Sequence, residues 1–234
     1  MRLDRYIAES TGLPRSQAQR TIKQKRVALD GTLCNRPSAH VGKDTVVTLD
    51  GVETTPHGHF YILLHKPAGY ECTHGDGVHP SVFELLIEDL PNARSLHFAG
   101  RLDVDSTGLV LMTTDGAWSH RVTSPRHKQP KTYRVGLTAP LMEATAERLR
   151  TGVLLRGETK PTRPAEVEIL DELTIRLTLT EGRYHQVKRM LAAVDNRVES
   201  LHRERIGPWT LGGLEPGEWR TLLPKEIEGI EVLR

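Results

Sequence analysis

The 234-residue chain has only two cysteines, Cys34 and Cys72, too few for a disulfide framework and without the C-x-x-C spacing of a thiolate metal site. Long apolar runs are missing too. Phe60–Leu64 is among the longest, far short of the ~20 residues a membrane-spanning helix needs. No apolar core follows the basic start Met1-Arg2-Leu3-Asp4-Arg5, so a secretory signal is not expected, and the expected setting is the reducing cytoplasm, away from membranes. Aromatic residues make up only 5%, yet 37% hydrophobic and 26% charged residues exclude disordered, collagen-like and low-complexity chains. A P-loop, a dinucleotide fingerprint and a metal-ligand cluster are absent, and the eleven histidines are scattered, so no structured metal site is expected. Charge of one sign is lacking as well: 32 Lys plus Arg against 30 Asp plus Glu give +2, an average that argues against a nucleic-acid partner.

The segments say otherwise. Residues 1–50 hold nine basic and five acidic residues, a net of +4, and the remainder carries −2. From Ser10 to Leu29 there is no acid, and Arg15, Arg20, Lys23, Lys25 and Arg26 fall in that window. A second acid-free window, 116–142, carries Arg121, Arg126, Lys128, Lys131 and Arg134. Such asymmetry points to nucleic-acid contact, against the plainer reading of solvated surface charge. Between the two regions, Gly51–His59 is polar, contains Pro56 and lacks periodicity, which predicts a linker and a division into residues 1–58 and 59–234.

In the first part, Leu3, Tyr6 and Ile7 mark one face of a helix that Gly12 can end. A second helix begins around Pro14 to Ser16, with Ala18 and Ile22 inward and Arg15, Arg20, Lys23 and Arg26 outward. Arg26–Thr32 reads as a strand entering an Asp-Gly hairpin turn, and Val46–Leu49 as a closing strand. These 50 or so residues, R-L-D-R-Y-I-A-E-S-T-G-L-P-R-S-Q-A-Q-R-T-I with K-R-V-A-L-D-G, resemble the small S-four-like (αL) RNA-binding domain first known from a ribosomal small-subunit protein. The resemblance implies that the second helix and the loop after it lie against RNA phosphates.

The larger part predicts an α+β order without the regular alternation of a doubly wound sheet. Phe60–Leu64 is a buried-strand candidate, and Ser81–Glu84 has the spacing of a capping box opening a helix to Leu90. Lys131–Leu137 alternates, as do Leu173, Ile175, Leu177 and Leu179. In Tyr184–Val194 the apolar residues Val187, Met190, Leu191 and Val194 follow a helical stripe, which leaves His185, Lys188 and Arg189 together on the opposite face. The segment Gly100-Arg101-Leu102-Asp103-Val104-Asp105-Ser106-Thr107-Gly108 connects two strand candidates, Leu96–Phe98 and Leu109–Thr113. Its carboxylates, its hydroxyls and Arg101 fit either a self-capped turn or a reactive acid held ionised by a nearby cation.

G-R-L-D-V-D-S-T-G-L-V-L-M-T-T-D-G, K-T-Y at 131–133, E-G-R-Y-H-Q-V-K-R-M at 181–190 and L-H-R-E-R-I-G at 201–207 together resemble the pseudouridine synthases of the small-ribosomal-subunit type. The likeness spans nearly the whole chain. One departure is His65, where the family's K-P-x-G turn is usually preceded by Asn. The resemblance implies a catalytic domain with a mixed, mainly antiparallel sheet and a cleft, acting without cofactor on uridine of 16S ribosomal RNA, free or in an assembling small subunit. It makes Asp103 the essential carboxylate, whether it attacks C1′, attacks the ring or removes a ribose proton. It places Tyr133 on the uracil face, with Lys188, or else Arg189, pairing with Asp103. Arg101 would contact phosphate or fill the gap left by a flipped base. The candidate RNA contacts are Arg101, Arg15, Arg20, Lys23, Arg26, Arg126, Lys128, Lys131, Arg183, His185 and Gln186, with Arg203 a further candidate for the groove. A monomer is expected. The competing readings are a non-catalytic RNA-binding assembly factor and a hydrolase using Asp103 with Asp105, although a single intervening residue predicts that those two side chains diverge.

Overall fold

The computed structural model describes residues 1–11, 13–54, 58–90, 93–124 and 129–229. They divide into two compact units, Met1–Phe60 with Asp89–Leu96, and Tyr61–Glu88 with His97–Arg234. Gly12, Pro91, Arg126 and Lys128 lie outside the described residues.

The first unit begins with α1 (Leu3–Thr11) and α2 (Arg15–Lys23), followed by β1 (Val27–Leu29), β2 (Thr32–Cys34), β3 (Val47–Leu49) and β4 (Val52–Glu53). The i, i+4 pairs Leu3/Ile7 and Ala18/Ile22 turn one stripe of each helix onto Val27, Val41 and Val47, and all seven side chains are buried. Each large aliphatic residue removed from water this way contributes roughly 1.5–3 kcal/mol. The strands order as β2-β1-β3-β4. The hairpin turn at Asp30-Gly31 forms as the sequence predicts, with φ of 47° and 78°. A second such turn, Asp50-Gly51 with φ of 52° and 82°, is where the structure departs from the expected linker: Val52 and Glu53 pair with β3 as a strand. Both dipeptides supply the positive φ that a tight hairpin turn demands.

The second unit contains β5 (Tyr61–Lys66), β6 (His97–Phe98), β7 (Thr107–Thr113), α3 (Gly116–Thr123), β8 (Lys131–Leu137), α4 (Glu143–Thr151), β9 (Glu166–Asp171), β10 (Thr174–Leu179), α5 (Gln186–Ala192), β11 (Val198–Ile206), β12 (Trp209–Thr210), β13 (Trp219–Thr221) and α6 (Pro224–Glu228). Its main sheet runs β13-β5-β7-β11-β8-β10-β9, with β6 beside β7 and β12 beside β11. Only β7 and β11 run parallel, so the sheet is mixed and mainly antiparallel. One core cluster gathers Leu63, Leu109, Leu111, Trp118, Ile206 and Trp209 from strands and α3. The indole N–H groups of Trp118 and Trp209 donate to the carbonyls of Ile227 and Glu226, which ties down α6.

Three local expectations change. The capping box at Ser81 forms, but it opens a single 3₁₀ turn, Val82–Leu85, rather than a helix to Leu90. Leu173 stays exposed just before β10, whose Ile175, Leu177 and Leu179 point inward as expected. The helix expected over Tyr184–Val194 is the shorter α5, because His185 takes a left-handed conformation (φ 46°, ψ 38°) at its N-cap. Among the described residues no helix is long and apolar enough to cross a membrane.

Candidate active site

The connection between β6 and β7 carries the Asp103 loop, and two buried cations hold its backbone. Lys66, at the end of β5, is fully buried, and its ammonium donates to the carbonyls of Pro67 (3.0 Å), Val104 (3.3 Å) and Ser106 (2.6 Å). Burial lowers its pKa, and three carbonyl dipoles are what it receives in place of water. Arg203 on β11, also buried, donates from Nε to the Leu109 carbonyl (2.7 Å) and from Nη1 to the Arg101 carbonyl (3.1 Å). Among the described residues its Nη2 has no hydrogen-bond partner. Gly108 sits where β7 meets Arg203: its φ is +109°, and a Cβ there would collide with the Arg203 backbone. Only glycine meets both conditions.

The loop's two carboxylates meet α5. Lys188 Nζ lies 3.2 Å from Asp103 Oδ2 and donates to both oxygens of Asp105 at 2.8 Å. His185 Nε2 lies 3.3 Å from Asp103 Oδ1. The left-handed N-cap conformation of His185 places its ring, which stacks on Tyr184 with centroids 3.8 Å apart. Burial works against the charge of Lys188, but bonds to Asp105 and Asp103 outweigh it and raise its pKa. The same ammonium lowers the Asp105 pKa against a smaller opposing effect of burial. The carboxylates therefore do not diverge as the one-residue spacing predicts; they converge on one cation. Asp103 stays about one-third exposed, so it remains open to a reactant. Such an arrangement places a carboxylate between an ammonium and an imidazole with one side open to solvent, where a reactant can meet it. Among the described residues no group of three or more His, Cys, Asp or Glu is placed to hold a metal ion.

The model of the RNA pseudouridylate synthase family matches residues 60–193, and that of the S4 domain matches residues 1–47. The chain belongs to the RNA pseudouridylate synthase family. It is 48% identical to ribosomal small subunit pseudouridine synthase A of Vibrio parahaemolyticus over 98% of this chain and 99% of that one. To the protein of the same name from Salmonella typhimurium it is 49% identical, over 98% of this chain and 100% of the other. A solved structure described as a pseudouridylate synthase superposes with a TM-score of 0.70 at 45% identity, covering 99% of this chain and all of the other.

Within this synthase the remaining candidate residues divide sharply. Tyr133 on β8 lies in register with Arg203 on β11, which lies in register with Gly108 on β7, so the sheet brings K-T-Y and the Asp103 loop to neighbouring strands. Arg101 is exposed at the loop's edge, and the described ion pairs of Asp103 are with His185 and Lys188 rather than with it. Lys131 is half-buried and donates to the Gln129 carbonyl (3.3 Å). Burial, with the charge of Arg203, pulls its pKa down to about 8. Arg183 pairs with Glu158 and Glu181 and donates to the Lys160 and Pro161 carbonyls. Gln186 is buried, donates to Glu181 and accepts from the Arg183 backbone N–H. Arg189 pairs with Glu158, not with Asp103. Arg183 and Gln186 thus tie the turn before α5 to Glu158 and Glu181, while Arg203 holds the Asp103 loop from a buried position rather than lining an open groove. In the first unit Arg20 and Lys23 are exposed, Arg15 pairs with Asp4, and Arg26 pairs with Asp50. Lys66 carries no mark in the sequence: a lysine ending an apolar strand has no distinguishing signal until its carbonyl partners are known.

Proposed function

We propose that this synthase isomerises a uridine of small-subunit (16S) ribosomal RNA to pseudouridine, acting as a cytoplasmic monomer without a cofactor. The isomerisation breaks the N1–C1′ bond, turns the uracil, forms the C5–C1′ bond, and releases the C5 proton while N1 takes one up. Atoms and oxidation state are conserved, so side chains suffice. The observation that carries the reading is Asp103, solvent-accessible and flanked by His185 and Lys188, in a loop held from beneath by Lys66 and Arg203.

In this reading Asp103 is the essential carboxylate, Lys188 pairs with it, and Tyr133 packs on the uracil and accepts the C5 proton at the end. The target nucleotide leaves its stack to reach them, at a cost of a few kcal/mol. Residues 1–58 serve as the RNA-holding module and 59–234 as the catalytic domain. Arg15, Arg20, Lys23 and Arg26 face phosphate in the module, joined by Arg101, Lys131, Arg126 and Lys128. His185 serves Asp103 as well as RNA. Each neutralised phosphate steepens the salt dependence of binding.

The test is incubation of the full chain with small-subunit ribosomal RNA labelled with tritium at uridine C5, followed by chemical derivatisation of pseudouridine. Release of tritium with one derivatised position is expected. Tight RNA binding with no release from free RNA or from partly assembled subunits would leave the assembly-factor reading in its place.

A further inference from the structure

A cavity of about 470 Å³ opens in the second unit, with Cys72, Thr73, His74, His97, Phe98 and Arg101 among its walls. Its size falls in the ~300–1,000 Å³ range of small-ligand sites. Asp103, Tyr133 and Lys188 are not part of it, so the reaction itself does not account for it. It is close to Asp103 all the same: Arg101 is two residues away in the chain, so their Cα atoms lie within about 7 Å of each other.

Its walls suit a flat ring. The His74 ring is exposed and braced by aromatic neighbours, with centroids 4.9 Å from Phe83, 5.3 Å from Phe98 and 6.5 Å from His97. Phe83 is fully buried and anchors this cluster to the core. A platform held in this way loses little rotamer freedom when something stacks on it. Burial pushes the Cys72 thiol pKa up, so that wall is uncharged. The Thr73 hydroxyl accepts from the Gly75 N–H and keeps its own proton to donate. Arg101 supplies a cation at the rim, and Arg203 holds the Arg101 backbone in place. An aromatic platform, polar edges and one cation are the chemistry that binds an unpaired nucleotide.

The geometry points to a subsite for one unpaired base of the substrate RNA, the immediate neighbour of the target uridine, stacked at His74 and Phe98 with its phosphate at Arg101. The subsite deepens the RNA-modifying reading and rests on it. It selects RNA in which a nucleotide beside the target is also out of its stack, and so adds to what the Asp103 loop reads.

Two measurements on the full chain decide it. The first is titration with adenosine 5′-monophosphate, followed by the ring signals of the histidines; His74 and His97 are expected to shift, and absence of any shift at His74 overturns the subsite. The second compares wild type, His74→Ala and His74→Phe for affinity to the transcript that acquires pseudouridine and to versions made abasic on either side of the target. His74→Ala is expected to weaken binding about five- to tenfold, the lower part of the range for base–aromatic stacking. That loss should vanish when one particular neighbour is abasic, and His74→Phe should restore most of it. An equal loss on intact and abasic RNA overturns the proposal. If no transcript acquires pseudouridine, the functional reading fails, and the nucleotide titration still decides the subsite.

Discussion

Asp4 and Asp103 are each gripped by two basic side chains, one pair in each unit, and they differ in what water can reach. Asp4 is fully buried in the first unit; Arg2 and Arg15 bond its two oxygens, and Gln19 donates to it at 2.9 Å. Burial alone would raise its pKa, but those three donors hold it well below the usual carboxylate range. Asp103 has His185 and Lys188 as its pair, and part of its carboxylate stays open. The same ionic chemistry makes a clasp between helices in one place and leaves a solvent-accessible acid, the one proposed to react, in the other. Exposure separates the two roles.

The largest effect that would break this comparison is at Asp103. Asp103→Asn keeps the shape and removes the charge, and tritium release is expected to fall by about 10⁴-fold or more, as when a reacting group is lost. RNA affinity measured by filter binding should stay within about twofold; full activity would remove Asp103 from the chemistry. At Asp4 the expected effect is on stability instead. Asp4→Ala should cost the first unit about 2 kcal/mol, since charged hydrogen bonds contribute ~1.5–3 kcal/mol each but Arg2 and Arg15 can return to water. Hydrogen exchange at α1 and α2 amides reads this loss. With its folded pKa depressed, Asp4 stabilises fully above the ordinary carboxylate pKa and loses that contribution as pH falls through and below it. Acid should therefore release α1 and α2 in the wild type and change little further in the variant.

Smaller effects sharpen the account of the Asp103 site. Lys188→Met removes the cation shared by two carboxylates, and tritium release should drop by about 10²-fold, the scale of losing one preorganised electrostatic partner. Asp105→Asn leaves Lys188 on Asp103 and should cost only about 3- to 10-fold. A larger loss at Asp105 than at Lys188 would reverse their assigned order. The smallest effect concerns Lys131, whose pKa is lowered to about 8. Below that value folding carries the cost of a buried charge. Between about 8 and the ordinary ~10.4 the unfolded chain keeps the proton that the folded chain gives up, so stability rises with pH. Relative to Lys131→Met, the wild-type Tm should gain about 2–4 °C between pH 7.5 and 10, the shift that ~1 kcal/mol produces in a domain of this size. Calorimetry at the two pH values checks it, and a constant difference would contradict the buried charge.

Elements with a strong period were legible in advance. β8 and β10 follow their alternation, and α1 and α2 follow their i, i+4 pairs. The loop identity of 100–106 was also legible, because turn-forming residues lie between two apolar runs. Asp30-Gly31 predicts a hairpin turn, while at the identical dipeptide Asp50-Gly51 the expected linker starts with Gly51, since the strand after it has only two residues and both are exposed. The periodicity places the start of α5 two residues early because a left-handed histidine interrupts a stripe whose apolar positions are otherwise intact. Lys66 and Arg203 occupy buried strand positions where the pattern calls for apolar side chains, and a charge there reads as an exception until the carbonyls around it are seen.

Spacing and residue type were enough to mark the Asp103 loop, the basic second helix and the family, because those are properties of short contiguous stretches. Which cation meets which acid was settled by folding alone. Lys188 lies 83 residues beyond Asp105 in the chain, and the turn before α5 brings its ammonium and the His185 ring to the loop while Arg189 is drawn to Glu158. Ion pairing depends on separations of a few ångströms between side-chain tips, and sequence periodicity resolves only the face of an element.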